Sequence, residues 1–174
     1  RIGSNMWGHQ YQGFVPDIVT LGKPMGNGHP VAAVITSDDI ISAFRKSFRY
    51  FNTFGGNPVS AAAANAVLDV IETENLMDNA ATVGAYAKAE LTRLSQKHDI
   101  IGDVRGKGLF FGTELVLDRD AQKPASDIAN QIANMMRTNG ILMNKLGIYY
   151  NTTRIRPPMP YSTANTDLMI EVFD

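Results

Sequence analysis

The chain contains the segment Ile18-Val19-Thr20-Leu21-Gly22-Lys23-Pro24-Met25-Gly26-Asn27-Gly28-His29-Pro30, in which a strand signal runs directly into a loop dense in turn-forming residues. The β-branched run predicts a short buried strand over residues 18–21. A lysine that follows such a strand is expected to be partly removed from water, which favours its neutral, nucleophilic amine. Lys23 is therefore a candidate to form a Schiff base with an aldehyde. The alternative is an ordinary solvated lysine in a surface loop.

The glycines around Lys23 do not match the common nucleotide-binding motifs. A P-loop requires a glycine five residues before the glycine of its Gly-Lys pair, and a serine or threonine after the lysine. Here Asp17 occupies the first position and Pro24 the second. The spacing also fails the glycine fingerprint of dinucleotide-binding folds, so neither class of nucleotide site is indicated.

A second loop carries another candidate for anion binding. It reads Tyr50-Phe51-Asn52-Thr53-Phe54-Gly55-Gly56-Asn57-Pro58. The hydroxyl of Thr53 can donate to a phosphate oxygen, and glycine-rich backbone at the start of a helix supplies N–H donors to an anion. The alternative is a tight loop in which Asn57 caps a helix that begins at Pro58.

Strand and helix signals alternate along the rest of the chain, which favours an α/β or α+β fold. Helices are expected over residues 38–44, 58–71, 76–98, 125–139 and 163–173, with Ser37 and Asn75 as N-caps. Strands are expected at 31–36, in a hairpin over 100–116, at 141–143 and, as an edge strand before a double proline, at 154–156. Residues 1–13 lack periodicity and are expected to form a loop.

The long helix expected after Asn75 should present one apolar face to a core. Six apolar residues recur along it at spacings of three and four: Leu76, Ala80, Val83, Ala87, Leu91 and Leu94. The change from one domain to the next is expected in this region.

Composition and charge exclude several classes of function. The 174 residues include 16 basic and 17 acidic side chains, a net charge of −1, and no cysteine. The balanced charge argues against a dedicated nucleic-acid binder, and the absence of cysteine excludes disulfides, thiolate metal sites and cysteine nucleophiles. The histidines lack the paired spacing of metal ligands, so no metal site is expected. No apolar run could span a bilayer and no secretory signal opens the chain, so no membrane partner and a cytoplasmic localisation are expected.

Four segments resemble the class III family of fold-type I pyridoxal-phosphate-dependent aminotransferases. They are residues 16–30, residues 51–58, the run Gly102-Asp103-Val104-Arg105-Gly106-Lys107-Gly108-Leu109-Phe110, and Arg154-Ile155-Arg156-Pro157-Pro158. The resemblance implies an α/β fold in which residues 1–75 are the C-terminal part of the large cofactor-binding domain. Residues 76–174 would then form a linking helix and a small C-terminal α+β domain.

The resemblance also implies roles for four residues. Lys23 is similar to the lysine that forms a Schiff base with pyridoxal 5′-phosphate (PLP) and then moves a proton between the substrate α-carbon and the cofactor. Thr53 resembles the threonine that contacts the cofactor phosphate across the interface of a homodimer. Arg154 matches a carboxylate-binding arginine of several members, and Arg156 is the alternative. For both arginines, a surface ion pair is the competing role.

The implied reaction transfers an amino group from an amine or amino acid to a 2-oxo acid. A lyase of the phospho-lyase type, or a mutase, is the alternative within the family, because these enzymes share the cofactor and the lysine. A non-catalytic module, whose two loops serve only dimer packing, is the alternative outside enzyme chemistry. The chain starts with Arg1 and not with methionine, so it is expected to be part of a longer protein. By itself it is expected to be inactive, because the family's aspartate that faces the pyridine nitrogen would lie upstream.

Overall fold

The computed structural model describes all 174 residues and divides the chain into two compact units. The lysine unit comprises Trp7–Asn75, and the sheet unit comprises Leu76–Asp174 together with Arg1–Met6. The first six residues belong to the sheet unit, where Leu109 donates its backbone N–H to the carbonyl oxygen of Arg1 at 2.8 Å. The expectation that residues 1–75 are the end of a larger cofactor-binding domain stays a prediction.

The lysine unit contains three helices and a two-stranded sheet. Its elements are α1 (Gly8–Gln12), β1 (Ile18–Leu21), a 3-10 turn (Lys23–Gly26), β2 (Ala33–Thr36), α2 (Asp38–Ser47) and α3 (Pro58–Thr73). The two strands are antiparallel, with Ile18 opposite Thr36 and Leu21 opposite Ala33. Residues 22–32, which join the strands, are called the lysine loop below, and residues 50–57, which precede α3, the threonine loop.

The strand expected over residues 18–21 is confirmed, but the expectation that it is buried is wrong. The side chain of Ile18 is 52% exposed, and that of Val34 on the paired strand is 66% exposed. A two-stranded sheet has no inner strand, and neither face of this one is buried. The β-branched run therefore indicates strand conformation here without indicating burial.

Helix α3 begins as the sequence predicts. Pro58 occupies its first turn, and Asn57 Oδ1 accepts a hydrogen bond from the backbone N–H of Ser60 at 2.9 Å. This cap satisfies one of the donors that the first turn leaves without an intrahelical partner. Ser37 is the N-cap residue of α2, as predicted, but its side chain makes no capping hydrogen bond.

Helix α1 is a departure from the loop expected over residues 1–13. The backbone N–H of Trp7 donates to Gln10 Oε1 at 3.0 Å, which closes the first turn. Gly13, with a φ of 75°, ends the helix in the left-handed conformation that glycine adopts readily. A helix of only 5 residues is too short to show apolar periodicity, which explains why the sequence gives no sign of it.

The sheet unit packs three helices and an antiparallel sheet around one core. Its elements are α4 (Leu76–Lys97), β3 (Ile101–Lys107), β4 (Phe110–Asp118), β5 (Lys123–Pro124), α5 (Ser126–Thr138), β6 (Asn144–Leu146), β7 (Thr152–Arg154) and α6 (Thr163–Phe173). The main strands run in the order β3-β4-β7-β6, and β5 pairs with β4. The predicted hairpin is the β3–β4 pair. None of the helices in either unit combines the length and apolar character that crossing a membrane demands.

The core of the sheet unit is built on the apolar face of α4. The six apolar residues predicted for this face, from Leu76 to Leu94, are all buried. From Ala80 onward they pack in one cluster with Leu115 of β4, Met136 of α5 and Ile170 of α6. Fully burying one leucine side chain stabilises the folded state by about 1.5–3 kcal/mol, so this stripe is a main source of the unit's stability.

Asn75 does not cap α4 as the sequence predicts. It lies between α3 and α4 with a φ of 50°, in the left-handed region that asparagine tolerates better than most residues. Its backbone N–H donates to the carbonyl oxygen of Glu72 at 3.2 Å, and its side chain makes no hydrogen bond. The polar residue between the two helices therefore serves the turn instead of the cap.

Two of the short strands were predicted in the wrong place. Residues 141–143 form no strand, and β6 begins only at Asn144. Ile141 and Met143 pack against the core while Leu142 is 88% exposed, so the alternation reflects packing without strand pairing. Strand β7 covers Thr152–Arg154 instead of 154–156, and it lies between β4 and β6 instead of at an edge. The double proline follows the strand's end and so does not restrict its place in the sheet.

Candidate functional site

The lysine loop and the threonine loop share an open cavity of about 780 Å³ in the lysine unit. Met25 and His29 line it from the lysine loop, and Asn52 and Phe54 line it from the threonine loop. The first turns of α3 complete the wall, while Lys23 and Thr53 are not among the lining residues. Two motifs that lie far apart in the sequence therefore meet at one cavity.

Lys23 combines an unusual backbone with a side chain that has no partner. Its φ is 51°, a left-handed value that costs a residue other than glycine on the order of 1–3 kcal/mol. The side chain is exposed and makes no hydrogen bond or ion pair. The expected desolvation of Lys23 is wrong for this chain, because the preceding strand is not buried. The amine is instead a free group on a strained turn, and strained residues of this kind cluster at functional sites.

Thr53 lies in a turn whose backbone donors are partly occupied. Asn52 Oδ1 accepts hydrogen bonds from the backbone N–H groups of Phe54 at 3.2 Å and Gly55 at 3.0 Å. These two N–H groups are therefore not available to an anion, and anion binding by the glycine-rich backbone stays a prediction. The exposed hydroxyl of Thr53 makes no hydrogen bond and is a donor still available to a phosphate oxygen.

A hydrogen bond joins the lysine loop to the first turn of α3. His29 Nε2 and Ser60 Oγ are 2.9 Å apart, and both side chains are half-buried. Ser60 Oγ also accepts from Asn57 Nδ2 at 2.9 Å. The sequence gives no role to His29, and a separation of 31 residues carries no local signal that could have revealed the contact.

The two candidate arginines both line a smaller cavity of about 340 Å³ in the sheet unit. Arg154 is half-buried at the end of β7, opposite Asn144, and its guanidinium makes no hydrogen bond or ion pair. Arg156 is exposed, and its guanidinium carbon lies 5.6 Å from the ring centroid of Phe110. Neither arginine forms a surface ion pair, so that competing role has no support in the structure.

Residues 2–174 match the family model described as aminotransferase class-III. The chain belongs to the class III aminotransferase family. The resemblance carried by the lysine, threonine and arginine segments is thereby confirmed. The match extends over both units, so the hairpin and the C-terminal helices belong to the family as well as the two loops.

Relatives of this class III chain include both transferases and a lyase. It is 47% identical over 170 residues to "Alanine--glyoxylate aminotransferase 2 homolog 2, mitochondrial" of Arabidopsis thaliana, covering 98% of this chain and 35% of that protein. An Arthrobacter phospholyase solved with phosphoethanolamine matches with a TM-score of 0.95 and 38% identity, over 99% of this chain and 41% of that one. A PLP-bound amine transaminase from an uncultivated Pseudomonas species matches with a TM-score of 0.87 and 32% identity, over 98% of this chain and 40% of that one.

These matches confirm the α/β, fold-type I class and show how much of each relative this chain covers. The chain spans about a third of the length of the Arabidopsis relative and about two fifths of each solved structure. The cytoplasmic localisation expected from the sequence is wrong by the same comparison, since the Arabidopsis relative is named as mitochondrial. A chain without cysteine fits more than one reducing compartment, so the composition could not decide between them.

The residues of the lysine unit fit PLP, the cofactor of this family. The cofactor's aldehyde requires a primary amine, and Lys23 offers one without a competing partner. Its phosphate requires donors, and the hydroxyl of Thr53 is available. Neither side chain lines the cavity that the two loops share, so the fit rests on the amine and the hydroxyl themselves. No group of three or more His, Asp or Glu side chains is gathered that could hold a metal ion.

Proposed function

We propose that the intact protein is a PLP-dependent aminotransferase that transfers an amino group from an amine or amino acid to a 2-oxo acid. The observation that carries the proposal is the free amine of Lys23, on a strained loop that shares a cavity with the threonine loop. Membership of class III and 47% identity to an alanine–glyoxylate aminotransferase support it. Because the chain spans about a third of that relative, the reaction is assigned to the intact protein.

Lys23 acts twice in the proposed reaction. Its amine would hold the cofactor covalently through the aldehyde carbon and would give up that place to the incoming substrate amine. The free amine would then remove a proton from the substrate α-carbon and deliver it to the cofactor. When bound, PLP supplies the electron sink that stabilises the charge developing on that carbon.

Two further residues are proposed to bind. The hydroxyl of Thr53 donates to the cofactor phosphate of the partner subunit in a homodimer. The guanidinium of Arg154 holds a substrate carboxylate through two parallel hydrogen bonds, an arrangement that a planar guanidinium favours. Arg154 is preferred to Arg156 because it is half-buried and no contact holds its guanidinium, whereas Arg156 is exposed and lies against the ring of Phe110.

A phospho-lyase reaction is the second candidate, and the similarity to the Arthrobacter phospholyase favours it. A lyase converts a phosphorylated amino alcohol and water into ammonia, phosphate and a carbonyl compound, without any 2-oxo acid. An aminotransferase consumes at most one equivalent of its amino donor per cofactor unless an acceptor is present. Incubation of the intact protein with phosphoethanolamine alone, and separately with alanine and glyoxylate, distinguishes the two reactions by their products.

The proposal is tested by trapping the covalent link to Lys23. The intact protein is mixed with one equivalent of PLP, reduced with borohydride and mapped by peptide mass. We expect the reduced pyridoxyl adduct on Lys23 in the wild type and in the control variant Lys46→Ala, which alters an exposed lysine of the same unit. The variant Lys23→Ala should lose it. An adduct on a lysine other than Lys23 contradicts the proposal. The absence of any adduct in the wild type also contradicts it, and favours the non-catalytic module.

A further inference from the structure

The contact between His29 and Ser60 is the one hydrogen bond between the lysine loop and residues 50–75. It extends a short series that starts at the carbonyl oxygen of Phe54, which accepts from Asn57 Nδ2 at 2.8 Å. Asn57 Nδ2 also donates to Ser60 Oγ at 2.9 Å, and Ser60 Oγ lies 2.9 Å from His29 Nε2. Ser60 Oγ accepts from Asn57 and can either donate to His29 Nε2 or accept from it, according to the tautomer of the imidazole. The threonine loop and the lysine loop are thus connected through side chains.

The lysine loop needs such an external connection because its backbone is strained. Lys23 has a φ of 51°, a left-handed conformation that is strained for lysine, and Asn27 follows with a φ of 47°, which asparagine tolerates better. Strained conformations persist only where the surrounding structure holds them. Within the loop, the backbone N–H of His29 donates to the carbonyl oxygen of Gly26 at 3.0 Å, but this bond fixes only the local turn. The side chain of His29 therefore supplies the hydrogen bond that anchors the turn to another element.

We propose that His29 is a positioning residue that fixes the lysine loop, through Ser60 and Asn57, to the start of α3 and thereby sets where the amine of Lys23 stands. The inference rests on the proposed function for its effect on turnover. His29 acts on the reaction through the loop and has no contact with the reacting groups in this assignment. Cutting the series at His29 or at Ser60 should have the same effect, because both cuts release the same anchor.

The loop anchor is tested first by hydrogen exchange in the intact protein without cofactor. We expect His29→Leu and Ser60→Ala each to accelerate exchange of the backbone amides of residues 22–29 by about tenfold, the change that a typical hydrogen bond can produce. The double variant should be no faster than either single variant. His29→Gln, whose amide can reach the position of Nε2, should restore slow exchange. His9→Leu, which removes a half-buried histidine elsewhere in the unit, is the matched control and should leave these amides unchanged.

The effect on positioning is tested by steady-state kinetics. His29→Leu and Ser60→Ala should each lower kcat by about tenfold with little change in KM, since the released loop misplaces the amine without altering substrate binding. His29→Gln should recover most of kcat. An equal loss of kcat in His9→Leu, additive losses in the double variant, or no recovery of kcat in His29→Gln would overturn the positioning role.

The two proposals fail in distinguishable ways. If the wild type gives no adduct on Lys23, the proposed function fails, while hydrogen exchange still reports whether His29 anchors the loop. If the wild type gives the adduct but His29→Leu and Ser60→Ala exchange and turn over like the wild type, the positioning role is overturned and the proposed function stands.

Discussion

Arg156 lies against Phe110, with its guanidinium carbon 5.6 Å from the centroid of the ring. A cation above an aromatic face at an exposed site gains about 0.5–1 kcal/mol, which holds Arg156 in this place. Arg154, the last residue of β7, has no such contact, and its guanidinium makes no hydrogen bond. The sequence leaves these two arginines as alternatives, and their surroundings separate them.

Replacing Arg154 should weaken binding of substrates that carry a carboxylate. Hydrogen bonds to a charged group contribute about 1.5–3 kcal/mol, so Arg154→Gln should raise KM for such a substrate by roughly tenfold to hundredfold. Arg156→Gln is the matched control and should stay within about threefold, because an exposed cation–π contact is weak. Steady-state kinetics with a carboxylate-bearing amine, and with an amine that lacks the carboxylate, checks this. A larger loss in Arg156→Gln would reverse the assignment.

Removing the cap of α3 should destabilise the lysine unit. Asn57→Ala leaves the backbone N–H of Ser60 without its acceptor, and loss of a helix cap costs about 1 kcal/mol. Asn57→Asp should recover only part of this, because a carboxylate accepts the same hydrogen bond but cannot donate to the Phe54 carbonyl and Ser60 Oγ as the amide does. Urea unfolding of the intact protein gives the free energies. The control is Asn65→Ala, at an exposed position inside the same helix, and an equal loss there would show that the cap is not the cause.

Periodicity predicts the helices well because it is a property of the chain alone. The stripe from Leu76 to Leu94 could be found in the sequence since residues three and four apart share a helix face, whatever packs against them. Burial of β1 could not be predicted in this way. An apolar, β-branched run favours extended backbone, but burial depends on which other elements cover the strand. Ile18 therefore has the predicted conformation and the wrong environment.

The candidate site was recognisable only in its separate parts. Lys23 and Thr53 stand in motifs that the sequence displays, and the structure adds that their two loops share a cavity. The link between His29 and Ser60 could not be predicted, because it depends on how a loop and a helix start come together in three dimensions. The strand predicted at 141–143 is wrong for a related reason. Alternation of apolar and polar residues indicates which side chains face the core, but it does not show which backbone groups pair.

A buried pair of threonines in the sheet unit should respond asymmetrically to substitution. Thr113 and Thr153 are 0% and 1% exposed, and their hydroxyl oxygens are 2.9 Å apart. Thr153 Oγ1 also accepts the backbone N–H of Thr113 at 3.0 Å. Thr153→Val thus leaves a backbone donor and a hydroxyl buried without partners, which costs about 1–3 kcal/mol, while Thr113→Val retains the backbone bond and should cost less. Equal losses in unfolding experiments would contradict this reading of the pair.

The link between Tyr86 on α4 and Asp167 on α6 should make stability fall at high pH. The hydroxyl of Tyr86 donates to Asp167 Oδ1 at 2.6 Å. This hydrogen bond, followed by desolvation, raises the pKa of Tyr86 above its ordinary value of 10.0. A folded-state pKa above the unfolded one means that the contribution is fully present below about pH 10 and is lost as the pH rises through the folded-state pKa.

Tyr86→Phe removes the titrating hydroxyl, so it is the reference protein for the wild type at each pH. We expect the wild type to have the higher unfolding midpoint by a constant margin between about pH 7 and pH 9, because the phenol is protonated in both folded and unfolded chains there. The margin should shrink as the pH rises further, since the phenolate cannot donate to Asp167 and is repelled by its carboxylate. Every other residue is the same in the two proteins and therefore cancels in the comparison. A margin that stays constant through pH 11 would show that the hydrogen bond between these two helices does not raise the pKa of Tyr86.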